Sequence, residues 1–281
     1  MKSNTNYTKD RSMTAGQLAK TCSVLFGQQW KTALASRLGM PLMSIHRWSS
    51  GKHKIPTPVA HLILRWVRSK GTVLSLCDRT GNMVRPWADA GFECLCVDLQ
   101  HKGSRQLGNI TYIGADLLSW LPPPQRYAMV FAFPECTNVA VSGARWFRKK
   151  GIGGLSRAVD LLETCRRICE WSKAPWMIEN PVSVYSSYWR KPDHTFDPCE
   201  FGGWLDPPGD AYTKKTCLWT GNDFIMPERK PVEPAEGSKM HRMPPSKDRA
   251  NRRSETPRGF ALAVFEANAQ VLFGRNASTA T

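Results

Sequence analysis

The sequence predicts an α/β protein, in which a mainly parallel sheet follows a small all-helical unit. Two observations predict this fold class. Apolar residues recur at helical spacing up to about residue 70. From residue 72 onward, short apolar runs alternate with helical segments, which is typical of a parallel sheet. The chain has 281 residues, of which 41% are hydrophobic and 22% are charged, so it can bury a core and is not globally disordered.

The net charge of +16 is concentrated at the start of the chain. There are 39 Lys and Arg against 23 Asp and Glu, and residues 1–71 hold twelve of the basic residues with one acid, Asp10, which makes +11. A positive field so concentrated favours a polyanion, most simply nucleic acid, because each neutralised phosphate releases counterions. The alternative interpretation is a solubilising tail.

Composition also indicates the cellular compartment in which the protein is expected. No apolar run approaches the roughly 18 to 20 residues of a membrane span, and the first residues do not resemble a secretory signal. Nine scattered cysteines are typical of a reduced cytosolic protein. We therefore expect a cytoplasmic protein, without a membrane partner, whose ends (1–13 and 274–281) are disordered. Cys165 and Cys169 are spaced for metal binding, but nothing nearby completes a ligand set, so core packing is favoured and no metal is expected.

Residues 14–70 are predicted to form the helical domain. Apolar spacing predicts one helix from Leu18 to Leu38, ended by Gly39. A short second helix, from Pro41 to Trp48, follows the glycine turn, and a third amphipathic helix spans residues 59–67. Two helices joined by a turn of a few residues have the geometry of a helix-turn-helix.

The run from Ala33 to Gly51 resembles the helix-turn-helix of phage repressors of the Cro/C1 type. The resemblance implies that Ser44, His46 and Arg47 face the major groove of DNA. It also implies that Lys52 and Lys54 lie near phosphates, where they fix register without reading bases. The alternative is a helical cap whose charges are merely solvated.

Five strands are predicted in the body of the protein, at residues 72–77, 92–97, 109–113, 127–132 and 176–178. Each is followed by a residue able to do chemistry, and these residues are Asp78, Asp98, Asp116, Cys136 and Glu179. Because the carboxyl ends of parallel strands share one edge of a sheet, we expect a site there. An acid after the second strand is placed to hydrogen-bond a ribose. Only Gly81 falls in the first turn, which disfavours NAD and leaves a nucleoside without a pyrophosphate, such as S-adenosylmethionine.

Cys136 is the cysteine best placed for chemistry. It follows a predicted strand and the pair Phe133-Pro134, whereas Cys94 and Cys96 alternate within a strand. The alternative is a buried cysteine that only packs.

These motifs, in this order, resemble the DNA cytosine-5 methyltransferases, particularly compact phage and prophage members. The resemblance covers about residues 72 to 270 and includes residues 201–202, 212–219 and 253–261. It implies a Rossmann-like, S-adenosylmethionine-dependent methyltransferase sheet within residues 71–273, and an enzyme that methylates cytosine in double-stranded DNA.

The resemblance also implies a role for each site residue. The Cys136 thiolate would add to C6 of a flipped-out cytosine, while Glu179 would hold N3 and the exocyclic amine. A positive charge or a helix N-terminus is then expected near Cys136 to stabilise the thiolate. The cofactor would be held at the ribose by Asp98, at the adenine amine by Asp116, and along its remaining length by Asp78, Gly81, Phe133 and Pro134.

Several positions depart from the family pattern. Arg79 stands where the family usually has a glycine, Glu135 separates Pro134 from Cys136, and Pro181 follows Asn180. The strand motif at residues 213–217 keeps one cationic position, Lys215. We expect Lys215, or Arg145 in the loop after Cys136, to replace the usual arginine beside the target base.

Target recognition is predicted to involve a short basic segment, residues 221–253. Its cations include Lys239, Arg242, Lys247, Arg249, Arg252 and Arg253, and of these Arg252 and Arg253 are the predicted DNA contacts. One alternative is a relative that modifies another pyrimidine, and a second is a DNA-binding regulator with an inactive methyltransferase fold. An amino-methyltransferase is disfavoured because residues 206–209 lack the aromatic residue of its usual tetrapeptide.

Overall fold

The computed structural model describes residues 12–238, 243, 244, 246 and 248–274. Most of the two predicted disordered ends therefore lies outside the described residues, as do Lys239, Arg242 and Lys247. Met13 is buried, and Gly274 is the last residue of the final helix.

Four helices form the N-terminal unit: α1 (Ala15–Phe26), α2 (Trp30–Leu38), α3 (Leu42–Ser49) and α4 (Thr57–Arg68). The predicted single helix from Leu18 to Leu38 is wrong, because Gly27 interrupts it with φ 73°. The apolar period continues across this break, so the period alone did not reveal it. Gly39, in the left-handed conformation at φ 62°, ends α2 as predicted.

The N-terminal unit has a core of its own. Leu18, Leu34, Ile45 and Ile63 are fully buried in it. The same unit also packs on the body, since Val24 of α1 belongs to the core cluster of the sheet. Val67 of α4 belongs to the same cluster, so the four helices rest on the body through α1 and α4.

Eight strands make one sheet: β1 (Thr72–Leu76), β2 (Cys94–Asp98), β3 (Ser104–Leu107), β4 (Ile110–Gly114), β5 (Tyr127–Ala132), β6 (Trp176–Pro181), β7 (His194–Phe196) and β8 (Thr216–Gly221). Their order is β3-β4-β2-β1-β5-β6-β8-β7. The five strands from β4 to β6 are parallel, whereas β3 pairs antiparallel with β4, β8 pairs antiparallel with β6, and β7 pairs antiparallel with β8. The chain moves outward from β1 to β2 and β4 and then returns to β5, so the direction of winding reverses between β1 and β5, where α/β sheets usually bind ligands.

Helices cover both faces of the sheet: α5 (Arg85–Asp89), α6 (Phe147–Ser172), α7 (Tyr185–Tyr188), α8 (Arg249–Ser254) and α9 (Arg258–Gly274). Trp87 of α5 packs edge-on against Phe265 of α9 over one face, with ring centroids 5.2 Å apart. On the other face, Leu162 and Ile168 of α6 pack with Leu74 of β1. Within the described residues, every helix is too short or too polar to cross a membrane.

Close packing explains why a glycine occupies position 259, within the stretch 253–261. A Cβ at Gly259 would lie 2.3 Å from the backbone oxygen of Phe201. We therefore expect Gly259→Ala to lower the free energy of unfolding by about 1–3 kcal/mol, because α9 must move away from the 3-10 helix Pro198–Trp204, which contains Phe201. Urea denaturation would measure the change. Gly16→Ala in α1 is the control: nothing lies within 4 Å of its Cβ position, so it should be neutral or slightly stabilising.

Candidate active site

One large cavity, of about 1330 Å³, lies at the carboxyl ends of the parallel strands. Residues after β1, β2, β4, β5 and β6 line it, together with residues 213–215 and part of α8. The cavity is larger than a typical small-ligand pocket of roughly 300–1000 Å³, and it can hold a nucleoside and a second group side by side. The strand-end residues named from the sequence that line it are Asp78, Asp98, Asp116, Phe133, Pro134, Cys136 and Glu179.

Asp78 shapes the turn after β1. Its Oδ1 accepts hydrogen bonds from the backbone N–H groups of Gly81 at 2.7 Å and Thr80 at 3.0 Å, and its Oδ2 accepts one from Oγ of Ser75 at 2.8 Å. Gly81 lies behind the cavity wall and does not line it. A Cβ at Gly81 would meet the Tyr112 hydroxyl at 2.7 Å, and φ is +69°, so both space and backbone conformation require glycine.

Two further carboxylates stand beside this turn. Asp98 is nearly buried, and its Oδ1 accepts the N–H of Gln100 at 2.7 Å. Burial raises the pKa of Asp98, and the N–H of Gln100 partly offsets that increase. Asp116 is more exposed, and its two oxygens accept bonds from the N–H of Leu118 at 3.1 Å and from Nη2 of Arg157 at 3.2 Å. Both carboxylates are held in place with lone pairs left for a ligand.

The thiol of Cys136 follows β5, the carboxylate of Glu179 lies near the end of the neighbouring strand β6, and both line the cavity. Burial raises the pKa of the Cys136 thiol, the charge of Glu179 raises it further, and the charge of Lys214 lowers it. Nζ of Lys214 lies 4.0 Å from Oε1 of Glu179. Burial also raises the pKa of Glu179, against the lowering effect of Lys214. A thiol, an acid and a cation therefore form one electrostatically linked group.

Lys214 was not singled out from the sequence; its neighbour Lys215 was. The side chain of Lys214 is only 17% exposed and turns toward Glu179, whereas Lys215 is exposed at the cavity wall and acts electrostatically on Cys217. Successive side chains of an extended chain point to opposite sides. Oδ1 of Asp197 accepts the N–H of Lys214 at 2.6 Å and fixes this register. The sequence contained one signal for this arrangement. Two adjacent lysines in an extended segment place one cation on each side of the chain, so one of the two is expected to face the cavity acid.

Asn180 connects the two strand ends. Its Nδ2 donates to the backbone oxygen of Pro134 at 2.8 Å, across 46 residues of sequence. Its Oδ1 is buried and has no partner among the described residues. The bond fixes the main chain two residues before Cys136 against the strand end that carries Glu179. Asn180 is therefore suited to position the thiol relative to the carboxylate.

The predicted DNA contacts fall into two places. Arg145 and Arg253 line the cavity, and Arg252 is exposed next to Arg253 on α8. The other five residues lie on and after α3, away from the cavity lining: His46, Arg47, Lys52 and Lys54 are exposed, and Ser44 is partly buried. The structure thus separates the three arginines at or beside the cavity, which we call the rim arginines, from the five residues on and after α3, which we call the N-terminal group.

The short helix α8 is tied to the loops that hold the acids. Nη2 of Arg79 lies 3.4 Å from Oδ1 of Asp248, and Nε2 of Gln100 donates to Oδ1 of Asn251 at 3.2 Å. Arg79, at the departure from the family motif, therefore joins the turn after β1 to the end of the basic segment.

Cys165 and Cys169 of α6 are both fully buried in the core. In the part of the chain that the structure describes, no group of three or more His, Cys, Asp or Glu side chains could hold a metal ion.

Comparison with known proteins adds a distant structural likeness. No family model matches the sequence, and no curated protein matches it. Among solved structures, the chain is similar to the CcbJ methyltransferase from Streptomyces caelestis, with 16% sequence identity and a TM-score of 0.27. The match covers 49% of this chain and 53% of that one, so the chain spans about half the length of the structure it matches.

Proposed function

We propose that the protein is a DNA cytosine-5 methyltransferase that uses S-adenosylmethionine. One observation carries the proposal: a thiol (Cys136), an acid whose side chain is only 14% exposed (Glu179) and a cation (Lys214) meet in one cavity with two ligand-ready carboxylates. Cytosine C5 is a poor nucleophile and needs a thiolate at C6 to become reactive, so this combination suits the reaction.

The residues present fit the cofactor. Among the described residues, Asp98 uses only Oδ1 within the protein, which leaves Oδ2 for the ribose hydroxyls. Asp116 would accept from the adenine amine, and Phe133 and Pro134 would line the cofactor. When bound, S-adenosylmethionine supplies an electrophilic methyl group. The cavity volume leaves room for a cytosine next to it.

The protein's own groups would then act on the cytosine. The Cys136 sulfur forms a bond to C6, and the charge of Lys214 stabilises the thiolate that attacks. Burial raises the pKa of Glu179, so the carboxylate takes up a proton more readily, and the protonated form gives that proton to N3 as negative charge develops there. C5 then takes the methyl group. Loss of the C5 proton to solvent and return of the N3 proton to Glu179 expel the sulfur from C6 and restore the ring.

The target must leave the helical stack to reach this cavity, so affinity has to come from the surrounding DNA. The exposed cations of the N-terminal group and the rim arginines would supply it. Removing residues 1–70 is a poor test, because Val24 packs in the core of the sheet. Charge substitutions on α3 and the segment after it are the better test.

We expect the triple substitution Arg47→Gln, Lys52→Gln and Lys54→Gln to weaken DNA binding and its dependence on salt. If each cation neutralises one phosphate, the slope of log affinity against log salt should fall in magnitude by about 2.7. Fluorescence anisotropy at several salt concentrations would measure it. The control removes the same charge from exposed positions elsewhere, with Arg65, Arg126 and Lys191 changed to Gln. An equal decrease in DNA affinity and in salt dependence in both variants would instead indicate an effect of net charge alone.

The deciding experiment for the function is mass analysis of nucleosides from DNA incubated with the protein and S-adenosylmethionine. We expect 5-methyldeoxycytidine. A methyl group on an exocyclic amine would contradict the thiolate chemistry, and product only in RNA or on another pyrimidine would change the substrate. Tight DNA binding without methyl transfer would favour the second candidate, a DNA-binding regulator. The observation that favours this second candidate is the +11 charge of the first 71 residues, which suits DNA binding whether or not the protein is an enzyme.

A further inference from the structure

The segment that follows the Cys136 loop has an unusual surface. We call residues 141–153 the rim segment; it comprises a 3-10 helix, Val141–Trp146, and the start of α6, which contains a kink at Gly151. It carries four cations, Arg145, Arg148, Lys149 and Lys150, and residues 136–159 contain no acid. The rim segment is therefore uniformly positive beside the proposed thiol.

Three large apolar residues of the rim segment are exposed. Trp146 is 50% exposed, Val141 is 52% exposed and Ile152 is 86% exposed. Trp146 lines the cavity, and the guanidinium of Arg145 lies over its ring, 5.3 Å from the centroid. An indole at a cavity mouth, flanked by cations, has the features of a stacking platform for nucleic-acid bases.

Two contacts tie the Cys136 loop to the rim segment and to Gly154, the next residue of α6. Nζ of Lys150 donates to the backbone oxygen of Thr137, the residue after the thiol. A Cβ at Gly154 would lie 3.3 Å from the side chain of Asn138, so the start of α6 packs closely on the same loop. Trp146 is thus held in a fixed relation to the place where the target base would react.

Extraction of a base from a duplex leaves its neighbours unstacked, which is unfavourable. We propose that Trp146 stacks on a base of the duplex at the cavity mouth and offsets this cost when the cytosine enters the cavity. The inference rests on the proposed function and adds a residue that holds the DNA open. The four cations would hold the adjacent phosphates.

The test measures base extraction apart from methyl transfer. A duplex with 2-aminopurine at the target position becomes more fluorescent when that base leaves the stack. We expect Trp146→Ala to lower the extraction equilibrium by about tenfold, since stacking of one base on an aromatic ring is worth roughly 1–3 kcal/mol. Trp146→Phe should restore most of the signal, whereas Trp146→Leu should not, because leucine has no aromatic face.

Trp171→Ala is the matched control. Trp171, near the far end of α6, is also about half exposed (49%), but it packs near Tyr127 and does not line the cavity. It should behave as the wild type.

Unchanged extraction in Trp146→Ala, while the wild type methylates DNA, would overturn the inference and leave the proposed function standing. Extraction that depends on Trp146, without methyl transfer by the wild type, would retain the inference and remove the proposed activity. A wild type that neither extracts the base nor transfers a methyl group would overturn both.

Discussion

Cys136→Ser is expected to reduce methyl transfer to DNA by about four orders of magnitude or more, as is typical when a covalent nucleophile is removed. The substitution changes one atom, sulfur to oxygen, in a partly buried position. A serine hydroxyl ionises far less readily than a thiol, so the bond to cytosine C6 cannot form at a useful rate. Transfer of a labelled methyl group would measure the loss.

A second measurement separates loss of chemistry from loss of folding. A duplex containing 5-fluorocytosine should trap the wild type as a stable covalent complex, because fluorine at C5 cannot leave as a proton does. Cys136→Ser should give no such complex but should bind the duplex as tightly as the wild type. Cys199→Ser, at a buried cysteine outside the cavity, should retain both transfer and trapping. Methyl transfer that survives Cys136→Ser would contradict the thiolate mechanism.

Substitutions at Lys214 and Glu179 should move the reactivity of the thiol in opposite directions along the pH axis. The thiolate is the reactive form, so alkylation of Cys136 rises as pH increases through the thiol pKa. Lys214 lowers that pKa and Glu179 raises it. Lys214→Met should therefore shift the alkylation profile to higher pH, and Glu179→Gln should shift it to lower pH.

The measurement is the rate of iodoacetamide labelling of the Cys136 peptide, followed by mass spectrometry at a series of pH values. The control is Lys215→Met, which removes the same charge from the exposed neighbour and should move the profile little. Shifts of the same sign in Lys214→Met and Glu179→Gln would show that the two groups do not act on the thiol as the geometry indicates.

Both substitutions should also lower methyl transfer. Glu179→Gln removes the proton donor to N3, which is worth about 10²- to 10⁴-fold in a general acid. The faster alkylation expected of Glu179→Gln at neutral pH would then accompany slower catalysis. That combination distinguishes a role in proton transfer from simple damage to the site.

The sequence predicted the strand ends well because the signal there is local. Buried parallel strands are short apolar runs, and the residue after each run lies at the shared edge. The structure accordingly brings Asp98, Asp116, Cys136 and Glu179 to one cavity. The edge strand β3 was not predicted, since Ser104–Leu107 is exposed along its whole length and has no apolar pattern. It is a strand only because it pairs with β4.

Other features depended on contacts between distant parts of the chain. The break at Gly27 lies within a continuous apolar period, so only the packed helices reveal it. The bond from Asn180 to Pro134 spans 46 residues, and no local pattern indicates it. The position of Trp146 at the cavity mouth likewise depends on how α6 packs on the sheet.

Lys214 and Lys215 show most directly which properties the local sequence determines and which depend on the tertiary structure. The sequence by itself determined that a cation follows Tyr212 and Thr213, and the family pattern favoured Lys215. Only the tertiary structure decided that Lys214 turns inward to Glu179. In an extended chain a shift of one residue exchanges the two faces, and here the register is set by Asp197, which accepts the N–H of Lys214. The residue types that chemistry requires are local information, whereas the direction in which each side chain points depends on partners far away in the sequence.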